Sequence, residues 1–470
     1  MGYLPAGRQA RYDKMFKRYQ NFHFVGIGGI GMSGIAELLL NLDYKITGSD
    51  QKRSPITLRL KKKGARIFYQ HKAGNVDGAH ALVISSAIAA QNPEVLAAKK
   101  KNIPIIPRAE MLSELMRLKY GIAVAGSHGK TTTTSLVGQI LQAGGLDPTM
   151  VIGGRLNSLK TNAKLGKGDY LVAEADESDG SFLKLNPTMA LITNIDPEHM
   201  DHYKNFEELK DTFVQFANKV PFYGSIVACS DHPVVRELIP RFQRKVVSYG
   251  FDHGADYSVG KIAKNGLRQR FQVLHHKQKL GWITLAMPGR HNISNALGAL
   301  AMGRELEIPF GKIATALRRF RGIQRRLQLL YDKEVTIVDD YGHHPVEIRA
   351  TLAALKEAFP KRRLVTVFQP HRYTRTRDLF QDFTQAFDLT DRLVLTEIYP
   401  ASEEPIVGVS GKALAEAMAP DKVLFHADKK NLDDQVRAEV QPGDVLLTLG
   451  AGDITQLGHR LARVFKKTKS

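Results

Sequence analysis

A single cysteine, Cys229, stands in 470 residues, so no disulfide can form within the chain and a cysteine-based zinc site is excluded. Its run, Ser225-Ile-Val-Ala-Cys229, reads as a strand in which the thiol is a small core residue. No uncharged apolar run reaches the roughly 18 residues that span a bilayer. The start, Met1 to Gln20, is polar with five basic residues and lacks the apolar stretch of a signal peptide. A cytoplasmic protein without membrane insertion is expected. Repeats and low-complexity tracts are also missing, which excludes collagen-like, coiled-coil and disordered classes.

Acidic residues are in deficit, 47 against 67 lysines and arginines, a net charge of +20. That favours anionic partners, of which nucleic acid is one and nucleotides or phosphosugars are others. The basic residues are spread along the chain, with short clusters at Lys61-Lys62-Lys63, Lys99-Lys100-Lys101 and Lys466-Lys467-Thr468-Lys469. These read as solvated helix ends and a frayed tail. A concentrated basic stripe with interleaved aromatics is not found, so no nucleic-acid partner is expected.

What is present is 43% hydrophobic and 24% charged residues, enough to bury several cores. At roughly 100–200 residues per domain the length suggests three domains. Short β-branched runs alternate with amphipathic ones, the pattern of α/β layers around parallel sheets. We divide the chain at 1–112, 113–322 and 323–470. The first block predicts strands at Phe22–Val25, Tyr44–Thr47, Ala81–Ser85 and Ile103–Ile106. The second predicts strands at Gly121–Ala125, Tyr170–Ala173 and Met189–Thr193, a helix at Phe206–Lys219, and a more antiparallel stretch between Val246 and Leu285. The third predicts strands near Val335–Val338, Leu364–Phe368, Leu393–Glu397 and Val445–Leu449.

Two glycine-rich turns stand out. Gly26-Ile-Gly28-Gly29-Ile30-Gly31 follows a predicted strand and opens a helix, with Asp50 at the end of the next strand. Such glycines let backbone N–H groups approach a diphosphate, and the acid suits a ribose. On these residues alone, NAD, another nucleotide diphosphate and a merely tight turn all stay open. Gly126-Ser127-His128-Gly129-Lys130-Thr131-Thr132 is the stronger signal. It is a shortened phosphate loop, with Val124 where the strict motif has its first glycine. Lys130 would meet the β- and γ-phosphates of a nucleoside triphosphate, and the Thr131 hydroxyl would hold Mg²⁺.

Two oxygen-rich segments follow, Glu174-Ala-Asp176-Glu177-Ser178-Asp179 and Asn194-Ile-Asp196-Pro-Glu198-His199. Strand-end carboxylates near a phosphate loop suit Mg²⁺, and an imidazole suits a second metal. Further on, Arg325-Arg326, Asp339-Asp340-Tyr341-Gly342-His343-His344 and His371-Arg372-Tyr373-Thr374-Arg375 place guanidiniums beside histidines, as carboxylate and phosphate binding requires.

Taken in order, these segments resemble the Mur ligases, the ATP-dependent amino-acid ligases of peptidoglycan precursor synthesis. The resemblance runs from His23 to about residue 455. It implies three domains, with Rossmann-like first and third domains around a central ATPase domain on a mainly parallel sheet. It also implies a sugar nucleotide in place of NAD, and a mobile third domain that brings the amino acid. The implied reaction joins L-alanine to the lactyl carboxylate of UDP-N-acetylmuramate through an acyl phosphate. The rival within the family attaches a preformed tripeptide. The implied cofactors are ATP and one or two Mg²⁺ ions, and a monomer or weak dimer is expected.

By the same resemblance Gly28, Gly29, Gly31, Asp50, His71, Ser85, Ser86 and Arg108 line the sugar nucleotide, and Tyr341 and His344 the remaining substrate groups. ATP falls to Gly126, Ser127, His128, Gly129, Lys130, Thr131, Thr132, His291, Asn292, Asn295, Arg326 and Asp340. Metal falls to Thr131, Glu174 and His199. The catalytic set is Lys130, Glu174, His199, His343, Arg372 and Arg375.

Overall fold

A computed structural model describes residues 19–85, 87–152, 163–200, 202–401, 403–418, 422–426 and 431–467. The chain forms two compact units. One comprises Met1–Gly260, Val273–Gly281 and Ser294–Arg319; the other comprises Lys261–Gln272, Trp282–Ile293 and Phe320–Ser470.

The first unit opens with a parallel sheet of β1 Asn21–Val25, β2 Lys45–Ser49, β3 Arg66–Phe68, β4 Ala81–Ile84 and β5 Ile105–Pro107, in the order β3-β2-β1-β4-β5. The strand order reverses beside β1, so the glycine turn after Val25 opens at the switch point where open α/β sheets bind ligands. Alternate residues of β1 and β4 face opposite layers. Phe22, Phe24, Ala81 and Val83 join one core, whereas Val25 and Leu82 join another. Sheets buried on both faces are the rule for parallel strands joined by helices. The helix Pro55–Lys62 starts at a capping box of Ser54 and Thr57, which satisfies two backbone N–H groups.

The second sheet holds β6 Tyr120–Ala125, β7 Thr149–Val151, β8 Ala163–Lys164, β9 Tyr170–Glu174, β10 Met189–Ile192, β11 Ser225–Cys229 and β12 Lys245–Gly250, in the order β12-β11-β10-β6-β9-β7-β8. Then follow β13 Tyr257–Asn265, β14 Arg268–His275 and β15 Gln278–Leu285. The sequence pattern suggested a more antiparallel stretch between Val246 and Leu285, and at its first strand the structure differs. Lys245–Gly250 runs parallel to Ser225–Cys229 because Pro233–Leu238 forms a crossover helix between them. Cys229 is free and buried in β11, as its setting suggested.

The third sheet, in the second unit, holds β16 Gln328–Asp332, β17 Thr336–Asp340, β18 Leu364–Phe368, β19 Arg392–Thr396, β20 Val423–His426 and β21 Val445–Leu449, in the order β16-β17-β21-β18-β19-β20. All pairs are parallel except the edge pair β16–β17. Val338, Leu393 and Leu447 face the helices Pro345–Ala358 and Gly411–Glu416. Ile337, Val394 and Leu446 face Leu432–Glu439 and Thr455–Lys467. The three sheets give the mixed α/β architecture expected. No described helix is long and apolar enough to cross a membrane.

Candidate active site

In the first unit the phosphate loop turns between β6 and the helix Lys130–Gly144. Gly129 takes a left-handed φ of 83° at the N-cap, and no side chain caps this helix. Its first N–H groups are therefore available to an anion. Gly126 has φ 129°, and a Cβ there would collide with Thr193 Oγ1. At Gly129 a Cβ would stand 2.6 Å from Asn295 Oδ1, which places Asn295 against the loop. Neighbouring residues pin the turn. Asn194 Oδ1 accepts the His128 N–H at 2.7 Å, Thr193 Oγ1 donates to the His128 carbonyl at 2.7 Å, and Ser127 Oγ accepts the Asp196 N–H at 2.8 Å.

Lys130 Nζ is held by the Gly126 carbonyl at 2.6 Å and by both oxygens of Glu177 at 2.8 and 2.9 Å. The Glu177 side chain is only 1% exposed. Burial disfavours the ammonium, but Glu177, Asp176 and Glu198 outweigh it and hold Lys130 above the usual lysine value. Glu177, Glu198 and His199 place three ligand atoms within 4.8 Å of one another. His199 reaches this position with a left-handed φ of 60°, the kind of local strain that collects at functional sites. A set of two carboxylates with one imidazole fits a divalent cation such as Mg²⁺.

Glu174 is not one of that trio. It lines a cavity of about 250 Å³ with Gly31, Arg108 and Asp176. Arg108 pairs with Asp176 at 3.3 Å. Burial raises the Asp176 carboxyl, yet Lys130 and Arg108 bring it below the ordinary aspartate range. In the first sheet, Gly28 N–H donates to Asp50 Oδ2 at 2.8 Å, so the acid predicted for a ribose lies beside the diphosphate turn. His71 Nδ1 lies 3.0 Å from Ser49 Oγ. Gly29 is the N-cap of Ile30–Asn41, Ser85 directly follows β4, and Ser86 lies outside the described residues.

The second unit gathers the other predicted groups. Asp340, at the end of β17, accepts the N–H groups of Leu327 and Gly342 at 2.7 and 2.8 Å. Burial pushes its carboxyl up to about 6 despite Arg326. Arg326 pairs with Glu347 at 3.3 Å, and its guanidinium lies 5.2 Å from the ring centroid of Tyr341. Burial and then Arg326 lower His291 to about 4. Asn292 is buried, donating to the Pro288 carbonyl at 2.7 Å. His344 caps the helix Pro345–Ala358.

His343 lies 5.7 Å from His371, ring to ring, and His371 stacks on Tyr399 at 5.6 Å. Arg375 Nη1 lies 3.2 Å from His371 Nδ1. Arg372 has φ 71° and ψ 138°, a strained backbone held by its N–H donating to the Tyr399 carbonyl at 2.9 Å. Burial lowers His343 to about 3; burial with Arg375 and Arg372 lowers His371 to about 4. Both rings are neutral at physiological pH and can exchange hydrogen bonds without adding charge.

The site list drawn from sequence left out Glu177, Glu198, Asn194, His371, Tyr399 and Glu403. Glu177 and Glu198 sit in the oxygen-rich runs and His371 beside the arginines, so position in those runs was a usable signal. Glu403, which accepts from Thr374 N–H at 3.0 Å, lies 29 residues from its partner and gave none.

Three stretches match family descriptions: Mur ligase family, catalytic domain, at residues 21–120; Mur ligase middle domain at 124–303; and Mur ligase, glutamate ligase domain at 325–452. The UDP-N-acetylmuramate–L-alanine ligase of Geobacter sp. (strain M21) is 54% identical, covering 97% of this chain and 100% of that protein. The enzyme of the same name from Desulfatibacillum aliphaticivorans is 53% identical over 94% of this chain and 98% of its own. Among solved structures, the UDP-N-acetylmuramate-alanine ligase of Thermotoga maritima superposes with a TM-score of 0.83 at 28% identity, covering 95% of this chain and 99% of that one. With its phosphate loop, its oxygen-rich cluster and this likeness along nearly its whole length, the chain belongs to the Mur ligase family.

Proposed function

We propose that this enzyme uses ATP to join L-alanine to the lactyl carboxylate of UDP-N-acetylmuramate, releasing ADP and phosphate. The observation that carries this reading is the 54% identity over 97% of the chain to an enzyme of that activity. The geometry supplies a chemical rationale. A carboxylate is a poor acyl donor, so its oxygen attacks the γ-phosphorus of ATP and the β–γ bridge bond breaks, giving an acyl phosphate and ADP. The alanine amine then attacks the acyl carbon, phosphate leaves, and the amine loses its proton as the amide forms.

Mg²⁺, when bound, would neutralise charge on the transferring phosphoryl group. We assign one ion to Thr131 and Glu174, and a second to His199 with Glu177 and Glu198. Lys130 would leave Glu177 for the phosphates, exchanging one anionic partner for another. Gly28, Gly29, Gly31, Asp50, His71 and Arg108 would hold the UDP-sugar. Arg372 and Arg375 would take the amino-acid carboxylate, while the neutral His343 orients the amine. The phosphate-rich substrates and the single, free Cys229 support a cytoplasmic location.

ADP release measured with ATP, Mg²⁺ and UDP-N-acetylmuramate tests the proposal. Release is expected with L-alanine and not with a tripeptide or without acceptor. Tripeptide-dependent release would move the chain to the recycling activity.

A further inference from the structure

Glu94, in the first turn of the helix Pro93–Lys100, is a fully buried carboxylate that the reaction above does not use. Its Oε2 accepts the Ser49 hydroxyl at 2.6 Å and lies 2.8 Å from His71 Nδ1. Its Oε1 accepts from Asn75 Nδ2 at 2.6 Å and lies 3.4 Å from Nε2 of the buried His23. Burial alone would push this carboxyl up, but the close His23 imidazole and the hydrogen bonds with Ser49, Asn75 and His71 win and hold it down at about 2.

An ionised carboxylate offers only lone pairs. His71 must therefore bring its N–H to the Nδ1 side, and a neutral imidazole so held presents Nε2 as an acceptor. Among the described residues Nε2 has no hydrogen-bond partner, and the side chain is 16% exposed. His71 sits against Ser49, the last residue of β2, next to Asp50 and its bond to the diphosphate turn. The acceptor thus opens at the rim where the strand ends converge.

We propose that Glu94 is a positioning residue that fixes His71 in its Nδ1–H tautomer, so that Nε2 accepts the imide N–H of the uracil ring of the bound nucleotide. The inference rests on the UDP-sugar reading above. Uracil carries one donor, N3–H, between two carbonyl acceptors, whereas cytosine presents a lone pair at the same place. A fixed acceptor therefore selects the base as well as binding it, because the wrong base leaves two lone pairs facing each other.

Calorimetry on the whole protein, with UDP and its N3-methyl derivative as probes, separates the possibilities. The wild type is expected to bind the methylated nucleotide roughly tenfold or more weakly. Glu94→Gln puts an amide donor where only acceptors now stand. It should weaken UDP by a similar factor, shrink the discrimination between the two nucleotides, raise KM for the sugar nucleotide, and leave kcat at saturation little changed. Equal binding of both nucleotides by the wild type would overturn the proposal, as would a Glu94→Gln protein that keeps full affinity and full discrimination. Should that variant fail to fold, the wild-type comparison still decides, together with ¹⁵N NMR of His71: a protonated Nε2 in the free enzyme contradicts the proposed tautomer. No binding of UDP at all would instead remove the assignment of the first domain itself.

Discussion

Lys130 and Glu177 show how much one pair of side chains carries. Glu177 is almost wholly buried, and its charge is tolerable only because Lys130 Nζ sits 2.8 Å away. Removing one partner of a buried pair typically costs about 3–5 kcal/mol. Lys130→Ala should therefore lower stability by an amount of that order and abolish ADP formation, while calorimetry still detects UDP-sugar binding; retained turnover would remove Lys130 from phosphoryl transfer. The neutral histidines allow a second prediction. Burial lowers His343 to about 3 and His371 to about 4. Both imidazoles are deprotonated above about pH 5, and neither gains a proton as pH falls from 8 to 6. Because kcat/KM reports the free enzyme, its dependence on pH for L-alanine should show no histidine inflection between pH 5.5 and 7.5, to about a tenth of a decade. An inflection near the ordinary histidine value that persists when His71 and His199 are substituted would show that one of these rings is solvated in the working enzyme.

Elements decide where such residues stand, and the phosphate loop is the clearest case. Gly129 combines a left-handed N-cap with a close approach to Asn295. Gly129→Ala should lose about 1–2 kcal/mol from the backbone alone and more from the collision with Asn295, with ATP affinity falling while UDP affinity holds. Denaturant titration and calorimetry of both nucleotides check the pair of effects. This loop was legible in the sequence because glycines, a lysine and threonines occur together after an apolar strand. The strands Gly121–Ala125, Tyr170–Ala173 and Leu364–Phe368 were legible for a related reason: buried parallel strands read as unbroken apolar runs. Less was legible where the determinant is spatial. The parallel pairing of Lys245–Gly250 depends on a six-residue crossover helix, too short to announce itself by periodicity. The edge strands Gln328–Asp332 and Val423–His426 are short and half exposed, so their pattern is weak.

At the scale of the whole molecule, composition set limits that the fold respects. The lysine clusters Lys61–Lys63 and Lys99–Lys101 do fall at the C-terminal ends of helices, where positive charge complements the helix dipole. Nothing in the structure explains why the net charge reaches +20. The lone cysteine is more useful, because it turns a compositional scarcity into a probe. Cys229 is 4% exposed in β11, flanked by β10 and β12 in the first unit's sheet. Burial raises its thiol above the usual value, and reaction needs the thiolate. A water-soluble disulfide reagent should leave the native protein unlabelled and modify one thiol only once β11 opens, since its neighbours shield it on both edges. Across a urea series, labelling should follow the loss of the first unit's circular dichroism signal, and added reductant should leave the midpoint unchanged because no disulfide exists to reduce. Rapid labelling in the absence of urea would show that this sheet opens locally, well below the free energy of global unfolding.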